Sequence, residues 1–423
     1  MLRDLSSNVR IVDNQVSVET QVQPPAAESE ELHPPAARPA SNTQDMPILL
    51  ASLALGIYWA VGTANFKNVQ PGSVALLALG VVIGTAVVSR WRGAGWAVLL
   101  FTVAIGLGAR VGRTPFVGSD VMAATREGVA ALERGENPYT HHYLTTNPSG
   151  SPFPYLPGEI AFYAIPRALT GDVAGADKWT GMGIVILLAT LALAVGPAPA
   201  ALATALYGTF EPAILRSLDG SNDTSLAFLA MLAIALLAWS ERAHRFRFLL
   251  FYASAVAFGW ALLFKPLAWL LYPPVAAYLR RRRALWRSYV SVSLGLAVLV
   301  TLPFFLAAPA PFVRNIAAGL SFHQHVSGLN LWSALASVQP QMIAALTPIM
   351  PVLDVLAIAL AALLAVLRPA PSLGRALWQS LLVTFVALFL ARYSTGSYYA
   401  FAAAILAAAL ALTPFTAGEG TDG

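Results

Sequence analysis

Long apolar runs, almost free of charge, recur through this chain and restrict its fold more than any other feature. Stretches such as 96–112, 179–196, 288–307 and 352–367 each come close to the ~20 residues that a helix needs to cross a ~30 Å hydrocarbon layer. A water-soluble fold would have to hide a dozen helices that are apolar on every side. Only 11% of the residues are charged, against about 25% in a typical soluble domain. The expected fold class is all-α, a polytopic transmembrane helical bundle of about twelve spans. The predicted spans cover 47–65, 73–89, 96–112, 179–196, 200–216, 222–240, 246–264, 266–279, 288–307, 350–367, 376–391 and 397–414.

Charge gives an orientation. Arg280, Arg281, Arg282, Arg283 and Arg287 crowd one short loop, and short loops rich in Lys and Arg stay cytoplasmic. Counting outward from that loop places Arg90, Arg92, Arg242, Arg245, Arg247, Arg368, Arg375 and both termini in the cytoplasm. Nearly all acids away from the tails then fall on the outer side: Asp120, Glu127, Glu133, Glu136, Glu159, Asp172, Asp177, Glu211, Asp219 and Asp223. Longer outer loops would give the same asymmetry; a working surface on that face is the other reading. The segment 157–170 carries Glu159 and Arg167 and is too short to cross, so it is expected to lie against the outer surface.

The resulting plan is a disordered cytoplasmic tail over 1–45, a membrane domain over 46–415 and a short cytoplasmic tail over 416–423. The first tail is too polar to fold alone and lacks the pattern of a cleavable signal. Main outer loops span 113–178 and 308–349. The net charge of +5 is small and scattered, which argues against a nucleic-acid partner. No glycine-rich loop followed by Lys-Ser/Thr is present, which argues against an ATP-driven pump. With no cysteine, no disulfide is possible. The alanine-rich composition fits a bacterial plasma-membrane protein.

The first outer loop is the least bilayer-like region after the tail, and a connection this long is usually functional. Ser119 or Asp120 suits a helix N-cap and Gly135 a helix stop. Between them Val121, Thr125, Gly128 and Leu132 follow one face while Arg126, Ala130, Glu133 and Arg134 follow another, as in a helix lying along an interface. Then come Glu136-Asn137-Pro138-Tyr139, His141, His142 and Tyr143, and a Pro-rich turn ending Phe153-Pro154-Tyr155-Leu156-Pro157.

A lone Asp just outside a span, an interfacial helix ending in GENPY, and FPYLPGEIAFY together resemble the membrane-embedded C-type glycosyltransferases. The pattern is most similar to glycosyltransferase family 87, which includes polyprenol-phosphate-mannose-dependent mannosyltransferases. Tyr155-Leu156-Pro157 departs from the commoner Tyr-Pro-Pro form. Looser matches are Asp219-Gly220-Ser221-Asn222, Lys265-Pro266, Tyr272-Pro273-Pro274 and Ser397-Tyr398-Tyr399. The resemblance covers the chain from about residue 96 onward, and only the first-loop motif is specific.

The resemblance implies transfer of a sugar from a polyprenyl-phosphate donor to a hydroxyl of a glycolipid or glycan outside the membrane. Mannose or another hexose or pentose is the implied sugar. Asp120 is then the candidate general base of an inverting displacement; the plain alternative is a helix N-cap. Lys265, His323, His325 and Arg126 are candidates for the donor phosphate. Lys265 could equally snorkel to lipid headgroups, and Arg126, Arg216, Arg314 and Arg392 could contact headgroups. Asn137, Tyr139, Tyr155 and Asn222 are candidates for substrate binding. Trp179, Trp332, Tyr398 and Tyr399 read as an interfacial aromatic belt. No metal or other cofactor is expected, because the first-loop acid stands alone and His323 and His325 lack the i, i+4 spacing of helical metal sites. The competing function is a transporter or flippase for a lipid-linked sugar or small solute. Such proteins show internal repeats and charges near the midplane; here no repeat is evident and charges sit at span ends.

Overall fold

The computed structural model describes residues 45–63, 71–116, 120–146, 149–282, 285–321, 326–346, 349–391 and 393–413. The predicted tails at 1–44 and 416–423, and the histidines His323 and His325, lie outside the described residues. The chain is an all-α polytopic helical bundle. Its helices are α1 (Asp45–Thr63), α2 (Pro71–Val88), α3 (Ala94–Val111), α4 (Asp120–Glu133), α5 (Pro157–Thr170), α6 (Ala176–Thr190), α7 (Ala192–Val195), α8 (Pro197–Thr209), α9 (Glu211–Arg216) and α10 (Asp223–Ser240). The second half holds α11 (Arg247–Leu262), α12 (Tyr272–Arg282), α13 (Trp286–Ala307), α14 (Pro309–Ser321), α15 (Leu331–Val338), α16 (Pro340–Leu346), α17 (Met350–Leu367), α18 (Leu373–Leu390) and α19 (Gly396–Leu412).

Every predicted span has its helical counterpart, and among the described residues six helices are long and apolar enough to cross a membrane by length and composition. Three predicted spans are divided: 179–196 at Leu191, between α6 and α7, and two others as follows. The 200–216 segment becomes α8 and α9 because Pro212 has no N–H to donate to Gly208 O and its ring would crowd that carbonyl; Phe210 is extended between the two helices. The 266–279 segment becomes a 3-10 turn at Pro266–Leu270 and then α12.

Burial separates centre from rim. In α10, 78% of the spanning window is buried, against 11% in α13. Helix α10 packs between α6, α11 and α19, whereas α13 exposes Val298, Leu299, Leu302 and Leu306, an apolar face that only lipid satisfies. Helices α1 and α2 add a small core of their own, with Leu49, Leu53, Ile83 and Val87 against Val98 and Phe101 of α3. Where α3 crosses α8 the backbones nearly touch: a Cβ on Gly106 would stand 3.1 Å from Gly208 Cα.

Charges sort to the two ends. Arg280 and Arg281 donate to the carbonyls of Val366 and Pro369, so the basic loops after α12 and α17 share one end. A cavity of about 210 Å³ at that end is lined by Glu241, Arg242, Tyr278 and Ser372. The first-loop acids lie at the other. There, α4 and α5 pack on each other. Helix α5 is ~21 Å long at 1.5 Å per residue, too short to cross, as the sequence predicts. Helix α4 ends as predicted at Gly135, whose φ is +74°. Glu136 N donates to Ala131 O and Gly135 N to Leu132 O, the paired bonds of a Schellman stop. Its buried face is Met122, Thr125, Gly128 and Val129, so Val121 and Leu132 sit at the margin of the predicted stripe.

Candidate functional site

The site is assembled from three chain breaks at the acidic end of the bundle. The first is the start of α4, where Asp120 is exposed. Its charge reaches the phenols of Tyr155 and Tyr393.

The second break follows α11. Pro266 disfavours helix in the residue before it, and Lys265 is accordingly extended (φ −147°, ψ 149°). That turns its side chain into the interior. Lys265 is 6% exposed; its Nζ lies 2.7 Å from Asp223 Oδ1 and 3.4 Å from Ser221 O. The rings of Tyr155 and Tyr398 flank the ammonium at 5.3 and 5.5 Å, within reach of a cation–π attraction.

The third is the turn into α10. Gly220 and Asn222 both adopt positive φ, +71° and +60°, and Asp219 closes the turn by accepting from Ser221 N at 3.0 Å. Arg216 holds the other Asp219 oxygen at 2.5 Å and lies against Gly396 at the start of α19. Asp177, in the first turn of α6, accepts from Tyr163 OH (2.8 Å), Ser225 Oγ (2.5 Å) and Asn222 N (3.3 Å). One carboxylate thus stitches α5, α6 and α10 together.

Glu159 sits behind Tyr155 on α5 and is fully buried. Helix α5 docks there because Gly158 lacks a side chain: a Cβ would meet Leu263 Cβ at 2.4 Å. Gly158 N donates to Leu263 O at 3.1 Å and Trp260 Nε1 donates to Gly158 O at 3.0 Å. Burial pushes the Glu159 carboxyl up to about 8, against the opposing pull of Lys265, Thr125 and Asn222. The hydrogen bonding agrees. Thr125 Oγ1 lies 2.8 Å from Val121 O and 2.7 Å from Glu159 Oε1, and its single proton serves one of them. A protonated Glu159 donates to Thr125, which then donates to Val121, and both bonds are made.

The motif residues divide between site and scaffold. Tyr155 and Asn222 come together with Lys265. Asn222 is buried, and its side-chain atoms make no hydrogen bond of ordinary geometry among the described residues. Asn137 and Tyr139 are built into the loop instead. Asn137 Oδ1 accepts from Tyr139 N at 3.0 Å. The Tyr139 ring is packed among Phe153, Phe304 and Phe312, and its OH donates to Tyr155 O at 2.8 Å. That packing leaves no ring face for a sugar. Arg126 is held by both oxygens of Asp172 at 3.1 Å, away from Lys265's cluster. Lys265 does not snorkel: its ammonium is buried against Asp223. Trp332 and Tyr398 are not belt residues either, since Trp332 is buried and donates to Leu390 O, and Tyr398 lies on Lys265. A two-residue parallel pairing of Ser327–Gly328 with Tyr393–Ser394 ties the second long loop to the start of α19, beside Arg216. Among the described residues no group of three His, Asp or Glu could hold a metal ion.

Reading the sequence by itself missed the partnership of Lys265 with Asp223 and the burial of Glu159. The signal for Glu159 was its place in the apolar run GEIAFY. No signal in the sequence joins residues 223 and 265.

No protein-family model matches the chain, and no curated protein matches it in sequence. Among solved structures it is similar to ArnT from Cupriavidus metallidurans in the apo state, with 20% identity, a TM-score of 0.48, and 76% of this chain and 59% of that one covered. The same protein bound to undecaprenyl phosphate aligns at 16% identity and a TM-score of 0.46 over 76% of this chain and 59% of that one. The Archaeoglobus fulgidus oligosaccharyltransferase complex with Zn and sulfate aligns at 14% and 0.45, over 74% of this chain and 48% of that one. The chain therefore spans less than two thirds of the length of these proteins. Likenesses this distant leave function to be argued from the residues of this chain.

Proposed function

We propose that this chain is a membrane glycosyltransferase acting at the extracytoplasmic face. In this reading it moves a sugar from a polyprenyl-phosphate donor to a hydroxyl of a glycolipid or glycan. The observation that carries the reading is the convergence of an exposed acid, Asp120, with the buried Lys265–Asp223 pair and the rings of Tyr155 and Tyr398. That convergence falls on the residues through which the sequence resembles family 87.

The chemistry is an inverting displacement. Asp120 accepts the proton of the acceptor hydroxyl, whose oxygen forms a bond to the anomeric carbon. The bond from that carbon to the phosphate oxygen breaks, and the phosphate leaves with the electron pair. Arg216, with a side chain 40% exposed beside the start of α19, is better disposed than Lys265 to meet the leaving phosphate. His323 and His325 remain candidates for the same task. Lys265 acts one step back: neutralised by Asp223, it holds the two tyrosine rings at the edge of the site.

The test is transfer of label from radiolabelled polyprenyl-phosphate sugars in membranes carrying the parent or Asp120→Asn. A positioned base contributes about 10²–10⁴ in rate, so D120N should lose at least about a hundredfold at unchanged protein level. Equal transfer by both proteins removes Asp120 from the base role. No transfer and no lipid-phosphate binding by the parent, with any such donor, sinks the enzyme reading.

A further inference from the structure

Four buried side-chain atoms that make no hydrogen bond of ordinary geometry among the described residues lie on three neighbouring side chains: Glu159 Oε2, Ser221 Oγ, and Asn222 Oδ1 and Nδ2. They belong to one place. Ser221 and Asn222 are consecutive in the α10 turn, the Asn222 side chain approaches the Glu159 carboxyl as a long hydrogen-bond partner while Lys265 acts on it as a charge, and Lys265 Nζ lies 3.4 Å from Ser221 O. Leaving several neighbouring polar atoms unsatisfied is costly, and such a group calls for a partner that the protein does not itself supply, whether a water, an ion or a bound molecule.

The chemistry of the four atoms selects the ligand. Three can accept a hydrogen bond, and the amide and the serine hydroxyl can also donate. Among the described residues the cation against this turn, Lys265, is matched by Asp223 at 2.7 Å, and Arg216 by Asp219 at 2.5 Å. A phosphate would find no uncompensated positive charge and an acid nearby. A neutral hydroxyl, which donates and accepts at once, fits. The half-buried rings of Tyr155 and Tyr398 border the atoms on the side of Asp120, where a sugar ring would lie.

We propose that Glu159, Ser221 and Asn222 form a recognition subsite for a sugar hydroxyl, reached past Tyr155 and Tyr398. The proposal rests on the glycosyltransferase reading and deepens it. The hydroxyl belongs either to the donor sugar or to the acceptor, and two arms of one experiment separate these sources.

The full chain is reconstituted in nanodiscs as the parent, Ser221→Ala, Asn222→Gly and Glu159→Gln. Glycine is used at 222 because φ is +60° there, and Ser221→Ala serves if another variant fails to fold. Affinity is measured for farnesyl phosphate, for farnesyl phosphate bearing mannose, glucose or arabinose, and for octyl mannoside as the acceptor-type probe. S221A and N222G should weaken a sugar-bearing lipid about three- to tenfold, the worth of one neutral hydrogen bond, and leave farnesyl phosphate unchanged. The same selective loss on octyl mannoside instead assigns the hydroxyl to the acceptor. The subsite is overturned if no sugar adds to parent affinity, or if the variants keep every sugar affinity within about twofold, as trapped water alone would give. Equal weakening of farnesyl phosphate with and without sugar overturns it too. Label transfer by the parent keeps the glycosyltransferase reading alive through each of those failures.

Discussion

Replacing Lys265 by methionine keeps an unbranched side chain, one atom shorter, and removes the ammonium, which strands Asp223 with a side chain 1% exposed. Two unit charges 2.7 Å apart attract by about 6 kcal/mol at an effective dielectric near 20, and much of that offsets the cost of taking both out of water. Removing one partner of such a pair costs about 3–5 kcal/mol, whereas replacing both with apolar groups is often close to neutral. At about 2.1 cal/mol/K of unfolding entropy per residue, the loss over a chain of 423 residues lowers the melting temperature by on the order of 5 °C. K265M should therefore melt well below the parent in nanodiscs. Lys265→Met combined with Asp223→Leu should recover most of the loss. Sugar transfer should stay low in both, since neither restores the cation between Tyr155 and Tyr398. A K265M protein that melts within 1 °C of the parent at neutral pH would refute the argument (1 °C is about 1 kcal/mol on this scale). So would a double variant as unstable as the single one.

Glu159 gives a pH dependence with a definite sign. Its carboxyl is raised from 4.5 to about 8, so between those values the folded state holds a proton that the unfolded chain has released. Stability contributed by that proton is complete below about 4.5 and falls, by at most about 1.4 kcal/mol per pH unit, as pH rises towards 8. Glu159→Gln should flatten this decline in a melting series; an unchanged slope would place the titration elsewhere. Gly158→Ala puts a Cβ 2.8 Å from Leu263 O. It should destabilise by about 1–3 kcal/mol and depress sugar transfer more than Gly135→Ala, where nothing lies within 4 Å and only the backbone is strained. Orientation can be read directly, because the native chain has no cysteine. Glu133→Cys should react with an impermeant maleimide from outside intact cells and Arg245→Cys only after lysis; the reverse pattern would invert the proposed topology.

The helical segments were legible because each apolar run must hide its backbone in a helix whatever its neighbours do. The stop at Gly135 and the short α5 over 157–170 were legible for similarly local reasons. What escaped was pairing across distance. Lys265 reads as a lysine at the edge of a span. Only the extended backbone before Pro266, meeting the left-handed turn at Asn222, aims it inward at Asp223. Tyr398 and Trp332 read as belt aromatics because the belt is the usual fate of such residues, and the contacts that claim them come from Lys265 in the break after α11 and from α18. Breaks inside the 200–216 and 266–279 segments were visible as Pro212 and Pro266, yet a long apolar run outweighed them.

The wiring of Tyr139 bears on how related chains would diverge. Its hydroxyl secures the carbonyl of Tyr155, Asn315 Nδ2 donates to its own carbonyl at 3.0 Å, and phenylalanines enclose its ring. In an Asn-Pro-Tyr signature of this kind the side chains are masonry: they go into building the loop. Preference among sugars would then drift through positions outside the signature, while the signature itself stayed fixed.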